Sequence, residues 1–551
     1  LVGYTWIVLA AVGTGFLSFG LWVHHMFTTG LPGITLGLFS AASTAVAIPT
    51  GVQFFCFLAT LLTGRGVMRA VPMYFIFGGL AVFVPGGLTG VMVALAPFDF
   101  QAHDTFFVVA HLHYVLIGGA LFPILAGCYY FFPLINGKQL SDRLGKCAFW
   151  LIFIGFNVTF LPMHLTGLRG MPRRVFTYPA DPGFDGLNLV SSLGAFILAA
   201  GIAVVMWDLV RPKGKQPYAA RNPWGAGTLE WLQEMPGQPW GVRSIPEIDS
   251  RYPLWDQPHL IRDVDEGRFY LPDAEEGWRE TIVTSVIDAQ PHQVLRLPGP
   301  TFITFFAAMF TGGFFIFGTY HLWWLAGISA VLALGTILCW LWTGTAFIPE
   351  KPAKNAGLGL TLPLYASGPA SVGWWAMCIT MLADMSAFVC LVFGYCFYWT
   401  IRPDFPPDPA AGPGVWWPAA GGGLLLGAWA LTGLARRWNR HDRAVSFYLG
   451  LLSAAVLAVA GGAAFLAGPW VSGLDPTGHV YPAIVWVLAI WAAAHAVLGL
   501  IMQLYCVARR LAGRMTARYD IDIANVVLYW QFTAVMGVVT VAVIAGFPLL
   551  A

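Results

Sequence analysis

Charge is what this sequence has least of. Asp, Glu, Lys and Arg make up 10% of its 551 residues, and the formal net charge is +2. That balance says nothing about nucleic acid, and no nucleic-acid partner is expected; so few charges exclude an ordinary soluble domain. Cysteine is also sparse. The eight cysteines (Cys56, Cys128, Cys147, Cys339, Cys378, Cys390, Cys396 and Cys506) include no C-x-x-C or C-x-x-x-C pair. A thiolate metal site within the chain is thereby disfavoured, and buried inert thiols are the better reading.

Apolar length is what the chain has in abundance. Hydrophobic residues make up 58% of it, and its mean hydropathy is +0.69. These values predict an all-α membrane protein, a polytopic bundle of transmembrane helices in a lipid bilayer. About thirteen stretches are long enough to span: 3–23, 35–62, 72–95, 105–133, 147–168, 189–210, 301–320, 323–347, 374–399, 415–435, 446–468, 481–508 and 525–549. A polar stretch at 211–300 separates a first membrane unit, 1–210, from a second. The chain begins at Leu1, directly before an apolar span, and is expected to be a fragment lacking its natural N-terminus.

Lys and Arg fall in alternate loops: Arg65 and Arg69, Arg143 and Lys146, Arg211 with Lys213 and Lys215, and Lys351 with Lys354. Arg436, Arg437, Arg440 and Arg443 follow, then Arg509, Arg510, Arg514 and Arg518. If the spans alternate, all lie on one side, which the positive-inside rule assigns to the cytoplasm together with the connector. One arginine group breaks the pattern, Arg169, Arg173 and Arg174, on the opposite side. Arginine stays charged when partly buried and grips carboxylates with a planar fork, so these residues suit buried anions.

The richest stretch runs from His103-Asp104 to His111-Leu-His113-Tyr114, where the fourth span enters the membrane. Ionisable groups inside a span are costly and mark function by default. Successive helical residues advance about 100°, so His111 and His113 point about 200° apart. They cannot chelate one ion from a regular helix, but each can hold a separate large cofactor, and haem is the common partner of histidine. The plain alternative is a pair of polar residues hydrogen-bonded between helices. His24-His25 close the first span on the same outer side. Adjacent imidazoles suit copper or a similar ion, though two donors need a third from elsewhere.

Five motifs carry a resemblance: W-V-H-H-M-F-T-T-G, A-I-P-T-G-V, G-G-L-T-G-V, H-D-T-F-F-V-V-A-H-L-H-Y-V-L and G-L-R-G-M-P-R-R. Residues 1–245 resemble the second half of haem–copper oxidase subunit I. The resemblance implies two haems, one copper and one magnesium. His24 and His25 resemble two of three copper ligands, His111 the axial ligand of the oxygen-binding haem, and His113 one of two axial ligands of the low-spin haem. His103 and Asp104 resemble magnesium ligands, Arg173 and Arg174 propionate partners, and Asp99 an acidic residue near a propionate. The remaining ligands of the family, and its crosslinked tyrosine, are implied upstream of Leu1. Residues 351–551 resemble subunit III in a five-span form, with Asp384 near the place of a family glutamate and His495 read as packing or hydrogen bonding. Residues 301–350 resemble a two-span extension of subunit I, so the whole resembles a subunit I–III fusion.

The implied activity is that of a cytochrome-c oxidase in a respiratory chain, reducing dioxygen to water with proton translocation. Its electrons come from cytochrome c or quinol by way of a dicopper-bearing subunit II, and its place is a bacterial inner membrane. Gln53 stands where the family places a lysine of one proton route, and a neutral amide cannot carry a proton charge. Three other readings compete: a nitric oxide reductase-like member of the superfamily, a thirteen-span transporter, and a non-catalytic truncated subunit.

Overall fold

The computed structural model describes residues 2–19, 21–64, 69–180, 182–211, 221–233, 244, 246–268, 279–285, 288, 290–299, 301–344, 348–357, 359–406 and 412–549. Arg65, Lys213 and Lys215, used above for the charge asymmetry, lie outside the described residues. The chain forms two compact units, Leu1–Gly241 with Asp249–Leu260, and Val242–Ile248 with Ile261–Ala551.

The first unit is helical throughout its membrane part. Its helices are α1 (Tyr4–Phe19), α2 (Gly33–Ala45), α3 (Ala47–Thr63), α4 (Val71–Val93), α5 (Ala96–Ala102), α6 (Phe106–Leu116), α7 (Phe122–Asn136), α8 (Asp142–Leu168) and α9 (Asp185–Val210). A short 3₁₀ segment, Trp22–Thr29, follows α1 and carries His24 and His25. Ser141 caps α8, its hydroxyl accepting from the Leu144 amide. Between α6 and α7 the ladder widens into one π-helical turn, Ile117–Leu121, a local defect that recurs at functional sites. Aromatic rings fill the space between α4, α7 and α8, with Phe75, Phe122, Phe149 and Phe156 buried.

Without a hydrophobic driving force inside lipid, helices associate where small residues let backbones approach. A side chain at Gly155 on α8 would sit 2.4 Å from the Leu198 amide of α9. One at Gly167 would sit 2.0 Å from the Phe107 amide of α6. The second contact fixes where α8 meets α6.

The second unit holds a helical pair, α10 (Ile303–Thr319) and α11 (Trp323–Gly344), and a five-helix set. The latter comprises α12 (Val372–Ile401), α13 (Trp416–Arg440), α14 (Ala444–Val471), α15 (Val480–Leu511) and α16 (Ile521–Val541). Leu425, Phe447, Phe465, Tyr481 and Trp530 are buried in its core.

Two expectations need correcting. Twelve helices among the described residues are long and apolar enough to cross a membrane; the stretch expected to span at 301–320 forms only the 17-residue α10. At about 1.5 Å per residue α10 falls short of a hydrocarbon core of about 30 Å. It ends where His321 turns left-handed, at φ 58. There the Leu322 amide bonds Phe317 and the His321 amide bonds Gly318, a helix-terminating pair.

The second correction concerns strands, which the sequence reading did not anticipate. An antiparallel hairpin, β1 (Arg279–Thr284) with β2 (Pro291–Leu297), lies within 211–300, and a second, β3 (Ala353–Gly357) with β4 (Leu360–Pro363), follows α11. Val294, Ala356, Leu362 and Leu364 share a small core between them. The chain remains an all-α polytopic protein in its membrane part.

Candidate metal and cofactor centre

The centre is assembled at the N-terminal end of α6. Thr105 caps that helix, its hydroxyl accepting from the Phe107 amide. Asp104, just before it, takes a left-handed conformation at φ 53. This turn is stitched to the one after α8: the Phe106 amide bonds the Met171 carbonyl at 3.0 Å, and the Arg173 amide bonds Asp104 at 2.8 Å. The two segments meet in an isolated bridge, Thr105 to Pro172.

His111 faces α4. Its Nδ1 lies 3.0 Å from the Gly86 carbonyl and 3.2 Å from the Thr89 hydroxyl. A side chain at Gly90 would meet the His111 ring at 3.0 Å. Donation from Nδ1 to a carbonyl fixes the tautomer and leaves Nε2 with its lone pair, the arrangement a metal-binding imidazole requires.

His113 faces α8 instead. Its Nδ1 lies 2.7 Å from the Val109 carbonyl, and its ring stacks on Phe160 at 4.1 Å between centroids, 15° from parallel. Again Nε2 keeps the lone pair. The two imidazoles of one helix are therefore prepared alike and turned to different neighbours. Their donor chemistry fits axial ligation of two haems.

His24 and His25 bring their Nε2 atoms to 3.0 Å from each other, and His24 Nδ1 lies 3.0 Å from the Ser43 hydroxyl. An ion about 2.0 Å from each nitrogen would subtend about 95° between them, an ordinary coordination angle. The pair supplies two donors. Among the described residues no group of three or more His, Cys, Asp or Glu side chains is placed to hold a metal.

Four further candidates form one chain of charge. Asp99 Oδ2 lies 3.2 Å from His103 Nδ1, and His103 Nε2 lies 3.8 Å from Asp104 Oδ2. Arg173 Nε donates to Asp104 Oδ1 at 2.5 Å, and a second guanidinium nitrogen contacts the same oxygen. Burial pushes the Asp99 carboxyl above its usual range, against the pull of His103. Both arginine contacts fall on Asp104 Oδ1, which leaves Oδ2 beside His103 Nε2 as the one carboxylate oxygen that magnesium, a hard ion that takes oxygen ligands and keeps waters, would use here. Arg174 is exposed, with φ 64.

Several contributors were given no role from the sequence, though Gly86 and Thr89 lie in the G-G-L-T-G-V motif. Gly86 and Thr89 hold His111; Phe160 lies on His113; Asn157 accepts from the Tyr114 hydroxyl at 2.8 Å. His164 packs edge-on to Phe107 and Tyr114, and its Nε2 is buried without a protein partner. One signal was available, because Phe156, Phe160 and His164 recur every four residues on α8. Away from this centre, Gln53 donates to the Thr14 hydroxyl at 3.3 Å and lines a cavity of about 440 Å³ with Thr50, Phe54 and Phe83. In the second unit Asp384 and His495 pair at 2.8 Å.

Residues 1–197 match the family described as Cytochrome C and Quinol oxidase polypeptide I. Cytochrome c oxidase subunit 1 of Bacillus subtilis (strain 168) is 44% identical over 256 residues, covering 46% of this chain and 41% of that one. That of Bacillus sp. (strain PS3) is 39% identical over 325 residues, 58% and 49%. The Synechocystis protein of the same name is 45% identical over 291 residues, 52% and 49%. The chain thus spans less than half the length of these relatives. A solved haem–copper terminal oxidase aligns at 21% identity and a TM-score of 0.32, over 36% of this chain and 40% of that one, a likeness too slight to bear weight. Over residues 1–197, then, the chain is similar to Cytochrome C and Quinol oxidase polypeptide I, and over about half its length to cytochrome c oxidase subunit 1.

Proposed function

We propose that this chain forms part of the membrane core of a terminal respiratory oxidase, in which four electrons and four protons convert dioxygen to two waters. The supporting observation is the pair His111 and His113, on one helix, turned to α4 and α8, each with Nδ1 bonded to a backbone carbonyl and Nε2 left as the base.

When bound, the haem irons and copper supply electron transfer and dioxygen reduction. The protein's own part is positional. Gly86 and Thr89 fix the His111 ring, and donation from its Nδ1 raises the basicity of Nε2. His24 and His25 converge on one point, with Ser43 setting the orientation of His24. The Asp99–His103–Asp104–Arg173 chain keeps the outer end of α6 closed by charge-assisted bonds. Gln53 leaves the route past Thr14 and Thr50 without a fixed cation, so protons on that side pass only by hydroxyls and water.

The finer reading follows the same lines. Electrons come from cytochrome c through a subunit II carrying a dicopper centre, since this chain has no paired cysteines for one. Turnover is coupled to proton translocation. The site is a bacterial inner membrane with the 211–300 connector in the cytoplasm. Residues 301–350 are a subunit I extension, and 351–551 a subunit III-like region; its five-helix set and Asp384–His495 pair support this.

Oxygen uptake by the purified complex with reduced cytochrome c, alongside counts of iron and copper, tests the proposal. Cytochrome c-driven uptake with both metals present is expected. Iron without copper would turn the reading to the nitric oxide reductase branch.

A further inference from the structure

We infer that Phe160 is a positioning residue: its ring sets the plane of the His113 imidazole and thereby the orientation of one axial ligand on the low-spin haem. This rests on the reading of His113 as a haem ligand.

An imidazole held only through Nδ1 can swing about that bond. The Nδ1 contact of His113 is to Val109, one turn earlier on its own helix, which fixes direction but not tilt. Tilt is set by the flat face of Phe160, 15° from parallel at 4.1 Å. Phe160 is itself braced by Phe156, 5.1 Å away. Phe156 is fully buried and packs edge-on to Tyr114 at 4.9 Å.

The helix carrying these rings cannot slide. Gly167 meets the Phe107 amide at one end of the α6–α8 contact, and Tyr114 bonds Asn157 nearer the other. Between these two fixed points Phe160 is held opposite His113. Stacking of this kind is directional as well as apolar, so an aliphatic side chain of similar size does not replace it.

In low-spin ferric haem with two imidazole ligands, the angle between the ligand planes governs the spread of the g values. The experiment is electron paramagnetic resonance of the oxidised full complex carrying Phe160→Leu, Phe160→Tyr or Phe160→Met, with haem content measured by pyridine haemochrome. Phe160→Tyr should keep the largest low-spin g value of the unaltered protein. Phe160→Leu should shift or broaden that feature while both haems stay bound. Loss of the low-spin haem alone also supports the proposal; loss of both haems moves the decision to Phe160→Met. An unchanged low-spin signal in a haem-replete Leu or Met variant overturns it. A His113→Ala complex that keeps the low-spin signal would instead overturn the haem assignment, leaving the two failures distinguishable.

Discussion

The Nε2 atoms of His24 and His25 face each other at 3.0 Å, while Ser43 sits 3.0 Å from the far nitrogen of His24. Two neutral imidazoles brought together in this way either share a proton or share an ion. If they share copper, removing either ring takes away half of the donors supplied here. His24→Ala and His25→Ala are each expected to lower copper in the purified complex by one ion, with haem content unchanged. Ser43→Ala should keep the ion but weaken its retention, by about 10-fold or more on the scale of lost outer hydrogen bonds. Metal analysis after graded chelation reads both.

Gly167 offers a second test, of the packing that supports the site. A methyl group there would be driven into the Phe107 backbone at 2.0 Å, and a backbone cannot yield as a flexible side chain can. Gly167→Ala is therefore expected to cost at least ~3 kcal/mol, at the upper end of overpacking penalties. Haem retention through a thermal ramp measures it. Gly170→Ala, which meets no neighbouring atom but sits at φ 92, should cost about 1 kcal/mol through backbone strain alone.

A third prediction concerns acid and lies in the second unit. Arg296 grips Glu350 with two bonds, 2.7 and 2.6 Å, and Glu280 with a third at 3.0 Å. The guanidinium holds the Glu350 carboxyl down from 4.5 to about 2. A carboxyl depressed on folding stabilises the folded form above its usual pKa, and that contribution disappears as pH falls through the folded value. Protection factors of the strand amides in 279–284 and 291–297, taken relative to intrinsic exchange at each pH, should therefore fall between pH 4.5 and about 2. Glu350→Gln should begin with weaker protection and change less across that window. Because Glu350 is partly exposed, solvent screening keeps the effect small.

Much of the centre could be read from the residues because helix geometry is rigid. A spacing of two on a helix puts His111 and His113 on separate faces whatever surrounds them, and the structure turns them to α4 and α8. Adjacent histidines likewise had to lie close together. Pairings across the chain were not legible: Arg173 meets Asp104 from 69 residues away, and His495 meets Asp384 from 111. Taken alone in the sequence, Arg173 reads as a propionate partner and Asp104 as a magnesium ligand; the structure also joins them to each other. The β hairpins escaped notice because their short strands sit in the connecting stretches, 211–300 for one and just after α11 for the other, where membrane hydropathy carries no signal. The shortness of α10 turned on a left-handed His321, a conformation that composition does not announce.

The most direct test compares His111→Ala with His113→Ala in optical spectra of the reduced complex, with and without carbon monoxide. His111→Ala should remove the carbon monoxide-responsive high-spin band and leave the low-spin band largely in place, and His113→Ala should do the reverse. Equal loss of both bands in each variant, with the chain still folded, would contradict the assignment of the two rings to separate haems.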